Sequence, residues 1–194
     1  MENLKNNIEE IKIGLQTWTL KNLNVAVFRN GESITEAKTS EDFAIAGKYG
    51  KPAWCFYEND FSNGNTYGKL YNWFAINDPR NIAPLGWHVP TESELTILAK
   101  YLGGNSVAGE KMKCQSGWMG NGGTNSSYFT AMPGGCRGIS GKFFNLGRIG
   151  TWWSSTDAGY LDSACCRNLH DNSNAFSEIS HPKHEGLSIR CLKD

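Results

Sequence analysis

The most regular apolar repeat in the chain lies in GWHVPTESELTILAKYLGG, residues 86 to 104, where Leu95, Leu98 and Leu102 share one face at helical spacing. Thr91 stands where an N-cap belongs, and Glu94 three residues on completes a capping box. Gly103 and Gly104 then stop the repeat, so the pattern predicts a helix over 91–102. In YGKLYNWFAIND, Leu70, Trp73, Phe74 and Asn77 repeat the same spacing and predict a short amphipathic helix over 67–77, ended near Pro79. Ser40 offers a further cap at the head of SEDFAIAGKYG, before an aromatic, turn-rich segment.

Elsewhere the period shortens. Ile13, Leu15, Thr17 and Trp18 predict a first strand over 13–18, and residues 1–12 are set apart as a polar lead-in, frayed or helical at its start. Beyond Gly104, glycine, serine and asparagine dominate, broken by small apolar groups at 128–129, 143–144, 152–153 and 187–189. Short strands and long loops are expected there. The class is therefore α+β, with two helices followed by an irregular antiparallel sheet, in one domain over 13–194. Trp152 and Trp153 are neighbours on a predicted strand, so they face opposite ways. They read as strand anchors, with an exposed, ligand-contacting member of the pair as the alternative.

Composition narrows the functions. A chain of 194 residues suits one core, and its 19 basic residues balance 19 acidic ones, so no long-range field favours a nucleic-acid partner. No stretch approaches the roughly 20 apolar residues of a membrane span, and MENLKNNIEEIKIG lacks the apolar core of a signal peptide. The six cysteines, at 55, 114, 136, 165, 166 and 191, form no CxxC pair. Their even number leaves disulfides open, Cys191 with Cys136 or Cys165 being the pairings considered, beside free thiols.

Candidate chemistry is sparse, and no cofactor motif appears. HPKHE at 181–185 imitates a zinc-protease motif, but Pro182 between His181 and His184 breaks the helix that motif needs. Cys165, Cys166, His170 and His181 have irregular spacing for a zinc site, and solvated loop histidines are the simpler reading. The glycine-rich 117–129 lacks the lysine of a phosphate loop.

Six stretches together resemble the Fibrobacter succinogenes major paralogous domain: GLQTWTLKNLN at 14–24, YGKLYNWFA at 67–75, GWHVPTESEL at 86–95, MPGGCRG at 132–138, WWSST at 152–156 and GLSIRCLKD at 186–194. The resemblance implies a C-type-lectin-like fold, in the branch that includes formylglycine-generating enzymes. It further implies that a last strand at 187–193 closes the structure beside the strand at 13–18, with Trp18, Trp73, Trp87, Leu95, Leu98 and Ile189 in one core. Relatives of this kind look secreted, surface-anchored or virion-associated in bacteria. Calcium-dependent sugar binding is not implied, because the Glu-Pro-Asn and Trp-Asn-Asp tripeptides of true C-type lectins are missing. Cys165 and Cys166 fall roughly where formylglycine-generating relatives keep reactive cysteines, but adjacent residues of a strand cannot enter one pocket.

The expected function is non-enzymatic recognition of a protein or glycan on a cell surface, and the alternative is a formylglycine-type cysteine oxidoreductase. Residues 157–184 lie where lectin-fold variable proteins of diversity-generating retroelements carry their randomised positions. Of the residue types that adenine mutagenesis of Asn codons does not yield, the segment holds only Glu178 and Lys183. Tyr160, His170, Asp171, Asn172, Asn174, Phe176 and His181 are the expected exposed contacts.

Overall fold

The computed structural model describes residues 8–160 and 162–194. Part of the predicted lead-in, residues 1–7, lies outside them; its remainder is not a lead-in, because a strand starts at Glu10.

The predicted first strand is two strands. β1 (Glu10–Ile13) turns through Gly14 and Leu15 into antiparallel β2 (Gln16–Thr19), pairing Ile11 with Trp18. Gly14 has φ +64° and Leu15 at the tip is 98% exposed, so the apparent alternation ran across a turn. Then come β3 (Thr35–Glu36), α1 (Ser40–Lys48) and β4 (Ala53–Cys55); the cap of α1 is Thr39, with Asp42 closing its capping box.

The single helix expected over 67–77 is replaced by three pieces: α2 (Ser62–Tyr67), β5 (Leu70–Tyr71) and α3 (Trp73–Ile76). Gly68, at φ 74° and ψ −158°, ends α2 where a side chain would strike the Leu23 carbonyl. Leu70 and Tyr71 then pair with β4, and Asn72 caps α3 through the Ala75 N–H. Helical spacing here disguised a sheet contact.

β6 (Trp87–His88) leads into α4 (Glu92–Tyr101), where Thr91 and Glu94 form the expected capping box. α5 (Asn105–Met112), absent from the sequence reading, follows. The loop-rich half supplies β7 (Gly134–Arg137), β8 (Phe143–Leu146), β9 (Ile149–Asp157), β10 (Ser163–His170), β11 (Ser177–Pro182) and finally β12 (Leu192–Lys193). The described residues therefore hold five α-helices and three sheets, not two helices and one sheet.

The orders are β1-β2-β12-β6, β11-β10-β9-β7-β8 and β3-β4-β5, with two parallel pairings, β3 with β4 and β7 with β9. The chain ends do meet. Leu192 pairs with Trp18, and upstream the Ile189 carbonyl accepts from the Leu23 N–H. Of the expected last strand, 187–189 instead threads past β5 and β9, with bridges from Leu187 to Tyr71 and from Ser188 to Trp152.

All six residues assigned to one core are buried, but in two. Trp73, Trp87 and Ile189 pack with Trp54, Tyr71 and Trp153; Trp18, Leu95 and Leu98 pack with Phe129, Trp152 and Leu169. A third cluster gathers Phe43 and Tyr57 around Leu70. β9 lies between the first two, and the tryptophan pair serves one on each face, at 2% and 0% exposure. Neither tryptophan is exposed, which removes the ligand-contact alternative. Each indole N–H is satisfied, Trp152 by Asn22 Oδ1 at 2.9 Å and Trp153 by the Tyr71 carbonyl at 2.8 Å.

Candidate functional site

The seven expected contact residues do not form one site. β10 and β11 make a hairpin in which Ser163 faces Pro182 and Asn168 faces Ser177. Tyr160 and His181 belong to one end of it, while His170, Asp171, Asn172, Asn174 and Phe176 belong to the other. Eight residues at roughly 3.3 Å each separate the ends by more than 20 Å.

At the first end, the loop after β9 presents Tyr160, 56% exposed, whose hydroxyl lies 2.7 Å from Ser180 Oγ. Lys183 reaches Asp157 at 2.6 Å, His184 reaches Asp162 at 2.6 Å, and His181 Nδ1 lies 2.5 Å from Glu185. The bond from Lys183, and behind it the Gly159 N–H, holds the Asp157 carboxyl below its ordinary range. These ion pairs fix the loop. Among the described residues, no three His, Cys, Asp or Glu side chains converge to hold a metal ion. Nor do the four considered for zinc converge, since His170 and His181 stand at opposite ends.

At the second end, three loops meet over α5. The 117–124 loop joins the 171–176 turn where the Asn121 N–H donates to the Asp171 carbonyl at 2.7 Å. The Asp171 N–H donates in turn to Arg148 in the β8–β9 turn at 2.8 Å, and the Met119 N–H donates to Gly147 there at 2.7 Å. Gly109 lets the hairpin turn lie against α5: its N–H donates to the Asn174 carbonyl, and a Cβ at that position would stand 2.6 Å from this oxygen. Gly123 plays the same part for the neighbouring loop against Glu110 and Lys113.

Beneath them sits Lys113, with 0% exposure, its ammonium donating to the carbonyls of Asn121, Ser173 and His170. Burial lowers its proton affinity, and nearby Asp171 and Glu110 act against that shift. Sequence reasoning missed Lys113 altogether. In KMKCQSG it resembles any surface lysine, and the carbonyls that bury it come from distant segments.

The side chains above this base are free. Asn121, Asn172 and Asn174 are exposed, and among the described residues no side-chain hydrogen bond engages them. Met119 stands out beside them. His170 is half-buried, with Nε2 3.0 Å from the Asn168 amide. Phe176 must be withdrawn as a surface contact: it is 1% exposed, packs in the core of Trp152, and lies beneath the Arg167 guanidinium. Aromatic character had suggested a binding residue, but here it anchors the return of the turn.

None of the six cysteines is paired, so neither proposed bridge from Cys191 forms. Cys166 is buried in the core of Trp153, while Cys165 is half-buried on the other face of β10. Burial, and secondarily Glu92, Glu178 and Asp157, pushes the Cys165 thiol up. Burial likewise raises Cys55 and Cys136 to about 11 and Cys191 to about 12, and it raises Cys166 and Cys114.

Together the fold and site define an α+β scaffold carrying a fixed-backbone loop surface. The family described as the Fibrobacter succinogenes major domain matches residues 11–193, and the chain belongs to it. No curated protein and no solved structure matches the chain. No helix among the described residues is long and apolar enough to cross a membrane.

Proposed function

We propose that this chain is a non-catalytic recognition domain of C-type-lectin-like fold. Its ligand, a protein or glycan on a cell surface, binds on the three loops over α5. One observation carries the reading: the backbone of those loops is pinned by hydrogen bonds, while the Asn121, Asn172 and Asn174 side chains project without hydrogen bonds beside Met119, which lies along Gly147 and is largely exposed. A fixed backbone bearing free amide and apolar side chains limits the ordering entropy that association costs. The lectin-like fold is supported by the adjacent β2 and β12 and by the long irregular connection between α5 and β7, residues 113–133.

Diversification by a retroelement would act on this same hairpin. Burial of Ala164, Cys166, Arg167 and Leu169 confines tolerated variation to its two ends. Vicinal cysteines on opposite faces of β10, with thiols raised by burial, favour recognition over the oxidoreductase alternative. Surface location rests on the resemblance alone, since six unpaired thiols do not call for an oxidising compartment.

Screening the protein against a glycan array and against labelled cell-surface extracts tests the proposal. Saturable binding to one class, competed by unlabelled protein, is expected; turnover of a defined substrate with no binder in either screen would overturn it.

A further inference from the structure

Among the described residues five cationic residues are buried: Lys69, Lys113, Arg137, Arg167 and Arg190. Arg167 has carboxylate partners in Glu92 and Glu178. Lys113 has none within hydrogen-bonding range. Its Nζ lies 2.9 Å from Asn121 O, 3.0 Å from Ser173 O and 3.2 Å from His170 O, and the Trp118 ring is centred 5.4 Å away. Three N–H donors meet three carbonyl acceptors, so the group is fully satisfied. Carbonyl dipoles replacing a hydration shell, with an aromatic ring nearby, make a shell suited to a small monovalent cation.

The acceptors belong to two of the loops over α5 and to the end of β10, and the third loop is tied to them through Asp171 and Arg148. An uncharged side chain at 113 would leave the Asn121 and Ser173 carbonyls without a donor in a buried place and His170 O with only the long bond, 3.4 Å, from the Ser173 N–H. We propose that the Lys113 ammonium is a tethered cation in a carbonyl cage that positions the three loops, and that the cage binds a free primary alkylammonium when the side chain is cut back. Only the consequence for ligand binding rests on the recognition reading; the cage itself is tested without a ligand.

The variant Lys113→Ala removes a propylammonium-sized piece, so propylammonium is the probe. Hydrogen exchange is read at the Asn121 and Asp171 amides, which bond across the loops, and at the Trp153 amide, which bonds to Ser188 in the core. K113A should exchange at least about tenfold faster at the two loop amides with Trp153 unchanged. Propylammonium should restore protection, whereas propan-1-ol and tetramethylammonium should not, one lacking charge and the other N–H donors. Unchanged loop exchange, equal acceleration at Trp153, or equal rescue by either control would overturn the proposal. If K113A does not fold unaided, folding with propylammonium but not with the controls supports the cage, and folding with none of them refutes it. Lys113→Met, which fills the space without charge, should lose loop protection and gain nothing from propylammonium.

Discussion

Trp152 and Trp153 are adjacent in the chain and buried in different cores, so each supports packing that the other does not touch. Replacing either with Ala should cost about 3–5 kcal/mol in denaturant unfolding. Replacing Asn172 or Asn174 with Ser should cost no more than about 0.5 kcal/mol, since neither side chain is buried or bonded. A tryptophan variant within that small range would contradict the two-core arrangement. The opposite facing of the pair was legible from strand alternation. That both faces are covered was not, because the covering residues, Trp73, Leu187 and Ile189 over Trp153 and Leu95, Leu98 and Phe129 over Trp152, lie away from the pair in sequence. The thiols make a second prediction at this scale. At pH 7 iodoacetamide should modify the folded protein slowly, at Cys165 first, and all six cysteines only after unfolding, as mass spectrometry would show. Rapid labelling of a single cysteine would revive the cysteine-enzyme reading.

Among the elements, α4 was the most legible, because its capping box, apolar stripe and double-glycine stop agree within one short stretch. Thr91→Ala removes the acceptor of the Glu94 N–H and should cost about 1 kcal/mol, seen as a lower melting temperature. The segment 67–77 misled for an equally local reason. Helical spacing of Leu70, Trp73 and Phe74 says nothing about the strand β4, which draws Leu70 and Tyr71 into a sheet. α5 left too weak an apolar stripe to be read; it buries Ala108 and Met112 in the core of Trp152 and Gly109 under the hairpin turn. The loop holding Tyr160 gives a pH prediction. Asp157 is bound by Lys183 and has its folded pKa below the usual 3.8. The anchor is therefore fully present above about pH 4 and is lost only as pH falls through the lower folded value. Resonances of residues 158–160 should hold steady from about pH 6 to 4 and move below that; a Lys183-dependent transition centred above pH 4 would contradict the pair.

For the whole molecule, the six stretches that carry the family resemblance contain its structural fasteners. Trp18 pairs the chain ends, Lys69 is stacked on Trp54 and Phe56, and Arg190 holds the carbonyls of Thr19, Leu20 and Phe129. Arg137 likewise ties the Ala37, Thr39 and Gly141 carbonyls. The motifs therefore identify the family and explain the fold, while the loop surface lies between them, where sequence alone showed only polar composition. Position along the chain grouped Tyr160 with Asn172; the hairpin separates them. Two variants test the central claim most directly. One replaces Met119, Asn121, Asn172 and Asn174 with Ser, the other Tyr160 and Ser180 with Ala, and both are measured against whichever glycan or surface protein the wild type binds, with melting temperature as control. The account predicts that the first variant loses binding by at least about tenfold with its melting temperature nearly unchanged, and that the second binds like the wild type. Binding lost in the second variant and kept in the first would contradict it.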